Sequence, residues 1–167
     1  MKATSLLLPE LLNKLWHTTS PERFNSILVT GAILPEPDIP EDKRWKTSQG
    51  SEYYPFVRSL GGVSLFDFDQ FDPETYGNKY PMSSWYEFVP YQTGQEAAIW
   101  IEIDRQLIAP QFISGPALVE KWNSEGAHQH SIMPYIEAAH IGPLPRTSFS
   151  RALLVRDGND RLTELDC

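Results

Sequence analysis

His128 and His130 are two residues apart and would present two imidazoles on one strand face, the beginning of a metal site. No third ligand stands near them, so the simpler reading is two loop histidines in solvent. Asp67, Asp69, Asp72 and Glu74 gather carboxylates in one stretch, yet the glycine and terminal glutamate of a calcium loop are missing. That stretch reads as a solvated acidic loop. The chain also lacks a phosphate-binding Gly-Lys loop, a Gly-x-Gly-x-x-Gly turn, a nucleophile elbow and a His-Glu-x-x-His pair. Single polar residues also interrupt apolar runs, among them His17 after Leu15-Trp16, Ser64 between Val63 and Leu65, and Glu137 between Ile136 and Ala138. Alone, each has an ordinary role. A strand-end histidine partners a nearby polar group, a strand serine satisfies a neighbour, and Glu137 is the outward residue of an alternating strand.

The elements that carry these residues are partly legible. Leu7, Leu8, Leu11, Leu12 and Leu15 recur at helical spacing, which predicts a short amphipathic helix over 5–14. Residues 14–19 read as a buried strand running into a turn. Ser20-Pro21-Glu22 is a strong helix start, with Phe24, Ile27 and Leu28 as its buried stripe and Gly31 as its left-handed end. Residues 35–56 are an excursion rich in Pro, Gly and charge. Gly62 to Phe66 is a compact strand, followed by an acidic, aromatic loop to about residue 94. Ala97 to Ile103 is the clearest strand in the chain. Pro116 to Trp122 reads as a helical turn or short helix. Ile132 to His140 and Arg151 to Val155 are further strand candidates, joined by Gly142-Pro143-Leu144-Pro145. Loops of this length are common where a cleft is built.

Segments at opposite ends of the chain belong together. Leu15-Trp16-His17-Thr18-Thr19, with Phe24-Asn25-Ser26-Ile27-Leu28, Gly31 and Pro35, resembles the first catalytic segment of ADP-ribosyltransferases, as found in poly(ADP-ribose) polymerases and DNA-modifying toxin-like relatives. Gly61 to Phe66 resembles the second segment. Pro134-Tyr135-Ile136-Glu137-Ala138-Ala139-His140-Ile141-Gly142-Pro143-Leu144-Pro145 resembles the third, where a glutamate opens a strand that leads through a turn into the closing strand. The matches stand in the family's order and cover about a third of the chain. The resemblance implies an α+β fold with a split β-sheet core and peripheral helices. It also implies NAD as the substrate whose ADP-ribose is transferred to a macromolecular acceptor, or to water. A non-catalytic nucleotide- or protein-binding module on the same scaffold is the alternative.

The same resemblance assigns roles. Glu137 would stabilise the positive charge that develops on the ribose, and His17 would hydrogen-bond a ribose hydroxyl. The backbone at Thr18 would hold the nicotinamide amide. Arg58 is a candidate for the pyrophosphate, because a planar guanidinium suits phosphate oxygens. The chain departs from the polymerase pattern at one point: Ser64 or Leu65 falls where an aromatic tyrosine is expected. Ser64 is placed to act as the strand serine of toxin-like members, and Tyr53, Tyr54, Phe66 and Tyr76 are the possible aromatic substitutes.

Composition sets the outer limits. The 167 residues suit one domain, spanning 1–167, and 41% apolar content with five Trp excludes a disordered tail. Fourteen Lys+Arg against 22 Asp+Glu leave a formal charge of −8, and no basic run marks a nucleic-acid binder, so a nucleic-acid partner is not expected. Cys167 is the only cysteine, which rules out an intrachain disulfide. The short apolar run at the start has no cleavage site, and no stretch reaches the length of a membrane span. A cytoplasmic protein with no membrane partner is expected.

Overall fold

In the computed structural model, which describes residues 2–167, the apolar runs become strands of an antiparallel sheet. The strands are β1 (Leu15–Thr19), β2 (Ala32–Ile33), β3 (Gly62–Asp67), β4 (Ala97–Ile103), β5 (Phe112–Ile113), β6 (Glu137–Ile141), β7 (Leu144–Pro145), β8 (Phe149–Arg156) and β9 (Thr163–Leu165). Seven of them lie in the order β5-β6-β3-β1-β4-β8-β9, while β2 and β7 form a separate ribbon. The helices are α1 (Lys2–Leu11), α2 (Pro21–Thr30), α3 (Phe56–Ser59), α4 (Pro73–Lys79) and α5 (Gly115–Ser124). The architecture is mixed α+β, as expected. Among the described residues no helix is long and apolar enough to cross a membrane.

The central strands are continuously apolar because both faces of the sheet are covered. Successive side chains alternate between two cores. Trp16, Phe66 and Trp100 pack with Leu7 and Leu11 of α1 on one face, whereas Leu15, Leu65, Ile99 and Ile101 pack with Phe24 and Ile27 of α2 on the other. α2 forms as its sequence dictates. Ser20 Oγ accepts the Arg23 amide at 3.2 Å, Pro21 opens the first turn, and Gly31 ends the helix at φ 79°. Phe24 and Ile27 are buried, and Leu28 is half-buried against the same core. Ser20→Ala removes the cap acceptor and should lower stability by about 1 kcal/mol in urea unfolding, and Ser20→Asp should restore it.

The structure makes a helix, α4, of part of the stretch expected to be loop to about residue 94, and it moves several boundaries, two of which bear on the site. The first helix ends at Leu11 rather than at residue 14, because Asn13 turns the chain at φ 61° and donates its amide to the Phe68 carbonyl. The Trp16 indole then caps the Leu11 carbonyl at 3.1 Å. The strand expected from Ile132 begins only at Glu137, since Tyr135 at φ 64° breaks the extended chain. The Met133–Glu137 loop is held from both sides: the Glu137 amide donates to the Met133 carbonyl at 2.9 Å. A methyl on Gly115, at the start of α5, would lie 2.0 Å from the Tyr135 carbonyl oxygen, so the helix can approach this loop only without a side chain. Two carboxylates of the acidic stretch, Asp67 and Asp72, have structural partners rather than lying free in a solvated loop. Asp67 is buried against Arg105 at 2.6 Å, its other oxygen accepts the Gly115 amide, and its Oδ1 accepts the Asp69 amide at 3.3 Å. Asp72 caps α4 through the Thr75 amide at 2.8 Å.

One irregularity of the sheet prepares the site. β1 pairs with β4 along Trp16 to Thr19, but with β3 only at Leu15↔Asp67 and Trp16↔Phe66. Beyond Trp16 the register between β1 and β3 stops. The rest of β3, from Gly62 to Phe66, stays paired to β6.

Candidate active site

The gap that opens between β1 and β3 is the mouth of a cavity of about 520 Å³. Its lining comes from both faces of the sheet: Ile27, Ile33 and Val63 from the α2 side, and Phe66, Ala98 and Met133 from the other. The cleft therefore passes between two strands rather than lying on one face. His17, Thr18, Ser64 and Glu137 all line it.

Ser64 joins the other two polar residues. The His17 Nδ1 lies 3.0 Å from the Ser64 carbonyl oxygen, replacing the backbone pairing that β1 and β3 have abandoned. A carbonyl only accepts, so Nδ1 carries the proton and Nε2 is left as an acceptor. Burial drives the His17 pKa down to about 4, with the Ser64 carbonyl opposing and nearby Arg23 assisting, so the ring is neutral at physiological pH. The Ser64 hydroxyl donates to Glu137 Oε2 at 2.6 Å, and the Met133 amide donates to Oε1 at 3.2 Å. Both contacts follow from register: Glu137 stands opposite Phe66, two residues from Ser64, so the two side chains share a face. Glu137 is 5% exposed. Burial raises its pKa to about 7, against the opposing pull of Ser64, the Met133 amide and the charge of Lys46. A carboxyl that ionises near neutral pH, in one cleft with a neutral imidazole of fixed tautomer, can offer a carboxylate to a cation that forms transiently.

The sequence shows no basic cluster, yet the fold makes one. Arg23, Lys43, Arg44, Lys46 and Arg58 all line the cleft, against only Asp38 and Glu137 as lining acids. In the chain they amount only to the short run Lys43-Arg44-Trp45-Lys46, which Arg23 and Arg58 join through the fold. Arg23 donates to the Lys43 carbonyl at 2.7 Å, and burial followed by repulsion from Arg44 lowers its pKa. Arg58 is held by two carboxylates, Glu36 and Glu41, and Arg44 pairs with Glu36. Hydrogen bonds from Arg58 hold Glu36 below the ordinary carboxylate range.

The aromatic residues are distributed differently from the sequence expectation. Tyr54 is not part of the cleft wall: its ring lies 3.8 Å from the Arg58 guanidinium and its hydroxyl donates to Glu41. Tyr76 is buried with its hydroxyl donating to the Pro134 carbonyl at 2.6 Å, below the loop that carries Glu137. Of the possible substitutes Phe66 alone lines the cleft, where Trp45 and Phe88 join it, edge to face at 4.9 Å. Those two sit in the segments read as excursion and loop, and nothing in their spacing marks them. His128 and His130 have different partners: the first meets Asn123, the second the Tyr54 carbonyl. No protein-family model matches the chain, and no curated protein sequence matches it either.

Proposed function

We propose that the chain is an ADP-ribosyltransferase-like enzyme that cleaves NAD and passes ADP-ribose to a macromolecular acceptor or to water. The observation that carries this reading is the His17–Ser64–Glu137 chain, on three adjacent strands, inside a cleft with a cationic wall. The order of β1, β3 and β6 and the opening between the first two support a split-sheet scaffold of that family. The wall along α2 runs from Ser20 to Thr30, about 15 Å at 1.5 Å per residue, with Arg23 near its start and Ile27 further on. A dinucleotide needs this combination: an apolar place for a base, cations for the diphosphate, and polar groups at the reacting sugar.

The chemistry follows from the groups present. The bond between the ribose anomeric carbon and the nicotinamide nitrogen breaks, the electron pair leaves with nicotinamide, and positive charge spreads over the sugar. Glu137, once ionised, lowers the energy of that charge more than that of the substrate, which accelerates the step. His17, neutral and with Nε2 as acceptor, orients a ribose hydroxyl. Thr18 lies on the edge of β1 that faces the gap and offers backbone groups to the nicotinamide amide. An acceptor hydroxyl, amine or water then bonds to the anomeric carbon and releases a proton to solvent.

A second reading, a nucleotide-binding module without turnover, draws on the burial of Glu137 and on the donors that already hold both its oxygens. One pair of measurements separates them. NAD, ADP-ribose and nicotinamide should each raise the melting temperature, by the equivalent of about 2.7 kcal/mol when present at a hundred times their dissociation constants. Nicotinamide release from NAD, assayed with and without cell extract as a source of acceptor, should follow. Binding without release under any condition selects the module. Neither binding nor release removes both readings.

A further inference from the structure

The strap of chain from Leu34 to Lys46 lines the cleft, and its carboxylates fasten it to Arg58. Arg58 Nε and Nη2 donate to the two oxygens of Glu36 at 2.9 and 3.1 Å, and its Nη1 and Nη2 donate to Glu41 at 3.2 and 2.8 Å. Arg44 donates to Glu36 and, at 2.9 Å, to the Pro35 carbonyl. The Tyr54 ring backs the Arg58 guanidinium, and its hydroxyl donates to Glu41. Two anionic groups thus sit side by side on one guanidinium, the arrangement that two linked phosphates would adopt. The partners are unequal in depth. The arginine side chains are 13% and 10% exposed, whereas those of Glu36 and Glu41 are 60% and 57% exposed. Arg58 stands on α3, outside the strap, whereas Arg44 belongs to the strap itself, and both carboxylates face solvent.

We propose that Glu36 and Glu41 are internal stand-ins for a diphosphate, so that the strap is a latch on Arg58, which a diphosphate-bearing ligand opens by displacing both carboxylates. Both carboxylates are more than half exposed, so water can take them over once they are released. A diphosphate brings more negative charge and more acceptor oxygens to the same guanidinium. Ligand entry then frees Glu36 and Glu41, loosens the strap and widens the path past Lys43 and Lys46 to Glu137. The latch reduces the apparent affinity by the fraction of time it is shut. This regulation rests on reading the cleft as a dinucleotide site, but its test uses ADP and inorganic pyrophosphate, neither of which carries the nicotinamide that the NAD reading requires.

The test is calorimetric titration of the wild type, Glu41→Gln and the double variant E36Q/E41Q with ADP, pyrophosphate and, separately, nicotinamide. Melting curves first establish that each variant is folded. The double variant should bind ADP and pyrophosphate about tenfold more tightly or better, the single variant should fall between, and nicotinamide affinity should be unchanged. Equal or weaker ADP binding by folded variants overturns the latch, as does an absence of ADP and pyrophosphate binding in every protein. If Glu41→Gln alone is folded, its direction decides. Tighter ADP binding in the variants with no binding of nicotinamide or NAD keeps the latch and removes the NAD reading. Nicotinamide binding without ADP binding does the reverse.

Discussion

Glu137→Gln should lower the rate of nicotinamide release from NAD by about 10²–10³-fold, the scale of losing one well-placed electrostatic stabiliser. The substitution is close to silent for the fold. The amide oxygen can keep the Met133 amide, and its NH₂ can donate to the Ser64 hydroxyl, which both donates and accepts. NAD affinity should change far less, because the charge matters chiefly once the sugar becomes cationic. His17→Ala should show the opposite split, with weaker NAD binding, since its partner is a hydroxyl of the unreacted substrate. Acidity gives an independent readout. The Glu137 carboxyl ionises near pH 4.5 in the unfolded chain and at about 7 in the fold. Its neutral form therefore contributes stability that is complete below about pH 4.5 and lost as the pH rises through 7. The glutamine side chain of Glu137→Gln has nothing to ionise, so the variant should gain about 3 kcal/mol relative to wild type between pH 4 and pH 8. In the wild type, nicotinamide release should climb as the pH passes through about 7, as the carboxylate forms. Unchanged turnover in Glu137→Gln removes this residue from the mechanism.

The second large effect is on stability. Phe24→Ala should cost about 3–5 kcal/mol, measured by chemical unfolding, because the ring is buried among Leu15, Ile27, Ile99 and Ile101. The loss is a cavity beneath α2, and the helix is also the wall that carries Ser20 and Arg23 into the cleft. Phe24→Leu should recover much of the stability, since it refills most of the volume. A melting midpoint unmoved by Phe24→Ala contradicts the packing described for this helix.

These residues also show what a sequence can reveal and where it stops. Phe24, Ile27 and Leu28 repeat at helical spacing behind a Ser-Pro start, and all three face the core to some degree. The strands holding His17, Ser64 and Glu137 are readable as apolar runs, because a central strand is buried on both sides and tolerates few polar residues. Trp45 and Phe88 are not readable as cleft residues, since their segments have no period and their meeting is a product of tertiary folding. The same holds for Arg23 and Arg58, which join the Lys43-Arg44-Trp45-Lys46 run only through the fold. Tyr135 at φ 64° is a third kind of case. An aromatic in a run of apolar residues reads as strand, yet here it turns the chain so that Glu137 can be gripped by Met133 from behind.

The short pairing between β1 and β3 has a mechanical consequence. The sheet is two stiff leaves, β5-β6-β3 and β1-β4-β8-β9, stitched along one end. The stitches are Leu15↔Asp67 and Trp16↔Phe66, with Asn13 and Lys14 joined to Phe68 just beyond. Aromatic packing of Trp100 and Phe68 on Phe66 stiffens that spine. Like the covers of a book, the leaves are least compliant at the spine and most compliant at the fore-edge, where Thr19 and Gly62 have drawn apart. A small rotation about the spine changes the spacing at His17 and Ser64 little, and the spacing at the outer end of the cleft much more.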